Sequence, residues 1–174
     1  MDLTSEDFGL QGGKASMLGA SGGRSQDRPP FRWRGDFAMA DGMAHWILKS
    51  EPESYSWDDL VKEGETEWTG VRNHAAAAHL RAMKVGDTGY FYHSGAERAA
   101  VGRVRITRAA QKDGDEGNWV SVAVKPAGAL KQPVTLAAIK AEPKLAEMAL
   151  VRQSRLSVSP VSDAEWTLLE KMAG

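Results

Sequence analysis

Five short segments of this chain have strand character, and helical crossovers do not alternate regularly with them. The segments cover residues 45–50, 88–93, 99–107, 118–125 and 155–161. Apolar and β-branched residues dominate these segments, and polar or glycine-containing turns bound them. The middle three follow one another without a helix between them, which antiparallel hairpins permit and a regular parallel sheet does not. The pattern predicts an α+β fold with a mixed, mostly antiparallel sheet.

Closure of that sheet is expected because a short sheet otherwise leaves two unpaired edges. We therefore expect a curled, barrel-like sheet with helices around it. Ser56 and Asp59 predict a capping box that begins the first helix, with Leu60 and Val61 facing the core and Gly64 ending it. The N-caps predicted for later helices are Asn73, Thr135 and, with Glu165, Ser162.

Residues 1–42 differ from the remainder in being rich in glycine, serine and arginine without any lasting period. This composition predicts a disordered tail before a single domain over residues 43–174. Met39 and Met43 also allow an incorrectly assigned start of translation upstream. Alternatively, Phe31 and Trp33, which lie between arginines, form a short interaction motif.

Composition excludes several classes of function. The chain has 174 residues and no cysteine, so disulfides and thiol chemistry are excluded, and we expect a cytoplasmic location. The sequence contains no run of eighteen apolar residues, so no transmembrane helix is predicted. The histidines at 45, 74, 79 and 93 lack the spacing of metal ligands, so neither a metal nor another cofactor is expected.

Charge is distributed unevenly although the formal net charge is only −1. Residues 51–67 carry seven acids and one lysine, whereas residues 72–112 carry eight Lys or Arg and two acids. Arg103 and Arg105 lie two apart and share one face of a predicted strand, and Arg108 continues that line. We expect these three arginines to contact phosphate, with a mixed solvated surface as the alternative.

A planar, hydrogen-bonding ligand is indicated by polar residues at strand ends. Trp68 offers a π surface near the cation of Arg72 and the amide of Asn73, a combination that suits a nucleobase. The polar flanks of Trp68 favour a partly exposed ring. His93 and Ser94 are adjacent on a strand and point to opposite faces, so they do not form a catalytic dyad.

The segment from about Ala44 to Ala173 resembles the EVE domain family of the PUA-like barrels. The matching motifs are Trp46–Pro52, Tyr55-Ser56, Trp68–Asn73, Leu80-Arg81, Met83, Gly86-Asp87, Phe91–Ser94, Val101-Gly102, Pro133-Val134, Leu150–Arg152 and Arg155–Val161. The resemblance implies a barrel of about five or six strands with peripheral helices. It also implies a binding module without established catalysis, similar to the YTH readers of methylated adenine, with a pocket for a modified base such as modified cytosine.

The family pattern also implies the site residues. Lys49 and Ser50 match the end of the first strand, which opens onto the pocket, and Trp68 matches an aromatic of the pocket wall. Arg72 and Asn73 match the Gly-Val-Arg-Asn segment; His93 and Ser94 match the end of the central strand. The expected partner is DNA or RNA carrying a modified base, bound by a monomer.

One segment departs from the family pattern, and one alternative function stays open. The segment Arg108–Asn118 is shorter than in many members, so the second aromatic wall of the pocket is expected to be open or absent, and Trp119 is expected in the strand core. The alternative function is hydrolysis of a modified nucleobase or nucleoside, as in ASCH-type relatives. That chemistry would need Lys49 beside a carboxylate such as Glu51 or Glu67.

Overall fold

The computed structural model describes residues 43–174, and the tail expected over residues 1–42 lies outside them. The strands are β1 (His45–Ser50), β2 (Thr66–Trp68), β3 (Thr88–His93), β4 (Ala99–Lys112), β5 (Val120–Thr135) and β6 (Val158–Val161). The helices are α1 (Trp57–Glu63), α2 (His74–Ala82), α3 (Leu136–Ala141), α4 (Ala149–Arg152) and α5 (Asp163–Ala173), with a 3₁₀ turn at Pro143–Leu145.

Within residues 43–174 the strands form one sheet in the order β2-β5-β4-β3-β1-β6. Strands β1 and β3 are parallel, and every other neighbouring pair is antiparallel. The predicted mixed, mostly antiparallel sheet is therefore confirmed. The expected closure into a barrel is wrong: no pairing between described residues joins β2 to β6, so the two edge strands stay apart in the ladder. Helix α2 packs against β4, β5 and β6.

Strand β2 is missing from the sequence prediction, and the hairpin of β4 and β5 is longer than predicted. Three residues with acidic neighbours carry too little apolar periodicity to indicate a strand, and β2 forms only by pairing with β5. The loop between the predicted strands 99–107 and 118–125 begins only after Lys112, because Gln111 and Lys112 pair with Ser121 and Val120.

Each face of the sheet carries its own hydrophobic cluster, as alternation along β1 requires. We call the cluster that contains Trp46 and Leu48 the inner cluster, and the cluster on the opposite face, which contains Ile47, the outer cluster. The inner cluster also contains Leu60, Trp68, Leu80, Phe91, Val104 and Val124. The outer cluster also contains Tyr90, Tyr92, Ile139, Leu145, Leu150 and Leu169.

Local helix signals are mostly confirmed. Ser56 and Asp59 form the predicted capping box, and Gly64 ends α1 in the left-handed region with a φ of 77°. Leu60 is buried as expected. Val61 is 51% exposed, so its predicted core position is wrong. It lies next to Leu60 on the helix and so turns about 100° away from the core.

Neither a membrane-spanning helix nor a cluster of metal-binding side chains occurs among the described residues. No helix between residues 43 and 174 is long and apolar enough to span a membrane. No group of three His, Asp or Glu side chains in this range is clustered as metal ligands would be.

Candidate functional site

An open groove of about 350 Å³ lies between the start of α2 and the segment that leads into β6. Asn73 and Ala75 line one side, and residues 152–156 line the other. Leu156 is buried at its base, whereas Arg152, Ser154 and Arg155 are exposed. The lining contains guanidinium, amide and hydroxyl groups and no carboxylate. The groove therefore favours a ligand that offers hydrogen-bond acceptors or negative charge.

Asn73 has one half of its amide committed to the fold. Its Oδ1 accepts a hydrogen bond of 3.0 Å from the backbone N–H of Ala76, which makes Asn73 the N-cap of α2 as predicted. That bond fixes the orientation of the amide, so Nδ2 is the free end. The Nδ2 group has no acceptor among residues 43–174 and is available to a ligand in the groove.

Lys49 lies behind the groove rather than in it. Its ammonium donates a hydrogen bond of 2.9 Å to the carbonyl oxygen of Ser154, a groove residue, and lies 5.9 Å from the Tyr92 ring centroid. The side chain is buried and forms no ion pair with a carboxylate of the described chain. Burial without a counter-charge lowers the pKa of Lys49 to about 8.

The strand that faces Lys49 adds polar groups to the same buried region. The backbone N–H of Lys49 donates to the carbonyl oxygen of Ser157, which continues the pairing of β1 with β6. The hydroxyls of Ser157 and Ser159 are buried and lack a protein partner within the described residues. This end of the outer face is therefore polar.

Among the predicted ligands, Ser94 bonds to Ser50, and the side chains of Ser50 and His93 bond to the chain that follows β1. Ser50 donates from Oγ to the carbonyl oxygen of Tyr55 at 2.6 Å, and Ser94 donates from both N and Oγ to the carbonyl oxygen of Ser50. The Nε2 of His93 accepts from the backbone N–H of Trp57 at 3.0 Å. These contacts hold the start of α1 against the sheet.

The same contacts fix the state of the His93 ring. A nitrogen that accepts from a backbone N–H carries no hydrogen, so neutral His93 has its proton on Nδ1. That proton points at the carboxylate of Glu97, which lies 2.5 Å away. His93 is thus held from both sides, and its assignment as a ligand contact stays a prediction.

Trp68 is a core residue, so the prediction of a partly exposed ring is wrong. Its exposed fraction is 0%, and it meets Phe91 edge to face with ring centroids 5.7 Å apart. Strand β2 places Thr66 and Trp68 inward and Glu67 outward. Because neighbouring residues of a strand point to opposite faces, the exposed Glu67 says nothing about the exposure of the Trp68 ring. The indole N–H has no partner within the described residues.

Trp119 takes a position that the sequence analysis did not predict. It precedes β5, is half-buried, and stacks on His74 with ring centroids 4.9 Å apart. The guanidinium of Arg72 lies 5.8 Å from the ring centroid of Trp119. The expected strand-core position is therefore wrong, and the residue that follows the shortened loop supplies an aromatic surface beside His74 and Arg72.

Asp113 ties this loop to the segment before α2. One of its carboxylate oxygens accepts from the backbone N–H of Gly70 at 2.8 Å and from Arg72 at 2.7 Å. Arg81 also donates to the carbonyl oxygen of Asn118. Arg72 is therefore half-buried and paired, so its predicted contact to a ligand would require that pair to open.

Two of the three arginines expected to bind phosphate have carboxylate partners. Arg103 forms a two-pronged pair with Glu170, at 2.7 and 2.8 Å, and Tyr90 donates to the same carboxylate. Arg108 contacts Glu67 at 2.8 Å. Arg105 is exposed and unpaired among the described residues. Their assignment to phosphate stays a prediction, which the pairing of Arg103 and Arg108 disfavours.

Comparison with known proteins identifies the family. The model of the EVE domain matches residues 44–172. The chain belongs to the EVE domain family. Human thymocyte nuclear protein 1 is 30% identical over 159 residues, which cover 71% of this chain and 71% of that protein.

Solved structures of similar proteins share the fold. The protein Rpa0253 of Rhodopseudomonas palustris is 48% identical, with a TM-score of 0.73 over 76% of this chain and 94% of that one. The human THYN1 protein, solved in complex with 5-methylcytosine containing DNA, is 28% identical, with a TM-score of 0.71 over 75% of this chain and 97% of that one.

The groove of this EVE domain contains residues to which the sequence analysis gave no role. Arg152, Arg155 and Leu156 belong to quoted family motifs, but no chemical argument singled them out. Their meeting with Asn73 depends on how α2 packs beside β6. The usable signal in the sequence was two cations three residues apart, at the start of the strand predicted over 155–161.

The residues named for hydrolysis are not assembled in this EVE domain. Lys49 bonds to a backbone carbonyl, and Glu67 is held by Arg108 and by the Ser121 hydroxyl at 2.6 Å. The hydrogen bond from Ser121, and after it the one from Arg108, lowers the pKa of Glu67, which makes Glu67 a weaker base.

Proposed function

We propose that this EVE domain binds nucleic acid that carries a modified base, modified cytosine in particular, and that it does so without catalysing a reaction. The observation that carries the proposal is the groove beside Asn73, which offers hydrogen-bond donors and cations but no carboxylate. The complex of the similar human protein with 5-methylcytosine containing DNA supports the same class of ligand.

The chemistry of the groove suits a cytosine. Cytosine presents two acceptors, O2 and N3, on its pairing edge, and the free Nδ2 of Asn73 supplies a donor for them. Ala75 and Leu156 provide apolar surface, the kind of contact that side chains make with a methyl group at position 5 of a pyrimidine. In a duplex the base must leave the stack to reach such a groove, which costs a few kcal/mol.

A fluorescence-anisotropy titration tests the proposal. Labelled oligonucleotides of one sequence, single-stranded and duplex, would carry cytosine or 5-methylcytosine at one position. We expect tighter binding of the modified strand. Equal affinity for both strands would reject recognition of 5-methylcytosine, and further cytosine and adenine modifications would then be compared in the same assay.

Asn73→Ser separates reading of the base from folding of the helix. Serine caps a helix about as well as asparagine but lacks the amide donor. Because cytosine and 5-methylcytosine share this pairing edge, we expect both oligonucleotides to lose about 1–3 kcal/mol of binding free energy. Asn118→Ser is the matched control, because Asn118 is exposed and only its backbone carbonyl is engaged.

Turnover is tested separately. The protein is incubated with modified nucleosides, among them acetylated cytidine, and the mixture is resolved by chromatography. We expect the nucleosides to be recovered unchanged. Product that accumulates in proportion to enzyme would establish the hydrolase instead.

A further inference from the structure

Two arginines at the rim of the groove are available to an anion. Arg155 is exposed and has no hydrogen-bond or ion-pair partner within residues 43–174. Arg152 contacts Glu147 at 3.2 Å, with side chains that are 63% and 81% exposed. Exposed pairs of this kind contribute little and are screened by salt, so a phosphate could replace Glu147.

The other arginines near the sheet are less available. Arg72, Arg103 and Arg108 each bind a carboxylate at 2.7–2.8 Å through a side chain that is about one-third exposed or less. Withdrawing Arg72 or Arg103 would leave a partly buried carboxylate, that of Asp113 or Glu170, without its cation, which is costly.

Arg105 is free but distant from the groove. It pairs with Thr88, which pairs with His45, whereas the groove adjoins Lys49 at the other end of β1. Two strand spacings and four residues separate Arg105 from Lys49, roughly 16 Å across the sheet. This is about five phosphate spacings along one strand of a B-form duplex.

We propose that Arg152 and Arg155 contact the phosphates that flank the base held in the groove. This inference rests on the proposed function and specifies that the ligand is a nucleic-acid strand rather than a free nucleoside. Guanidinium groups suit phosphate because their donors can bind two oxygens at once. Phosphate contacts fix the register of the strand, while Asn73 reads the base.

The test is a salt titration of oligonucleotide binding with the full chain. Each lost phosphate contact lowers the slope of log K against log salt by about 0.7 for single-stranded DNA. Arg155→Gln should therefore lower the slope by about 0.7, and the double variant Arg152→Gln/Arg155→Gln by about 1.4. The ratio of affinities for modified and unmodified strands should stay constant, and Arg155→Lys should keep the slope.

Comparison with Arg105→Gln decides between the two basic surfaces. An unchanged slope in Arg105→Gln together with the loss in Arg155→Gln supports the groove rim. The reverse pattern overturns the inference in favour of β4, and unchanged slopes in both variants overturn it in favour of a free nucleoside. Failure of the unmutated protein to bind any oligonucleotide overturns the proposed function as well. Thermal unfolding of each variant verifies that it is folded.

Discussion

Replacing Trp68 by alanine should destabilise the domain severely, because the ring is fully buried in the inner cluster. Deleting a buried tryptophan or phenylalanine side chain costs about 3–5 kcal/mol, from lost transfer free energy and the remaining cavity. The edge-to-face contact with Phe91 is part of that loss. A domain with about 5–15 kcal/mol of stability would lose a large fraction of it.

Urea denaturation followed by far-ultraviolet circular dichroism measures this loss. With an m-value of about 2 kcal/mol/M, a loss of 3–5 kcal/mol lowers the midpoint by about 1.5–2.5 M. Trp119→Ala is the matched control, because that ring is only half-buried and should cost less. A midpoint shift below about 0.5 M for Trp68→Ala, together with weaker base binding, would refute the core assignment and restore the stacking role.

Three further perturbations test other parts of the structure. Burial lowers the pKa of Lys49 to about 8, so between pH 8 and 10.5 the unfolded chain binds more protons than the folded one, and the free energy of unfolding rises with pH. Lys49→Met should remove this rise of about 3 kcal/mol, measured by urea denaturation at pH 8 and at pH 10.5. Gly102→Ala would place a Cβ 2.4 Å from ring atoms of Trp57 and should cost about 1–3 kcal/mol; an unchanged melting temperature contradicts this. Asp113→Asn should release Arg72 and weaken modified and unmodified oligonucleotides unequally, whereas a uniform change would mean that the loop does not position the reading residues.

Features that depend on neighbouring residues were predictable from the sequence. The capping box of Ser56 and Asp59, the N-cap of Asn73 and the bounds of β1 and β3 all rest on side chains within a few positions of one another. Family motifs added the identity of the fold, because their order along the chain is specific.

Features that depend on distant residues were not predictable. The carboxylates that hold Arg103 and Arg108 come from positions 170 and 67, so no local pattern shows that these cations are engaged. Burial of Trp68 depends on the pairing of a three-residue strand with β5. The groove itself joins Asn73 to residues 152–156 and exists only because α2 packs beside β6.

The most direct test of the central claim is an NMR titration that follows the side-chain amide of Asn73 and the backbone amides of residues 152–156. A single-stranded oligonucleotide with one 5-methylcytosine is added to isotope-labelled protein, and the unmodified strand is added to a second sample. We predict shifts of the Asn73 amide and its groove neighbours that saturate at lower concentration for the modified strand. Shifts centred on Arg105, or identical titrations for the two strands, would contradict a base-reading groove at this position.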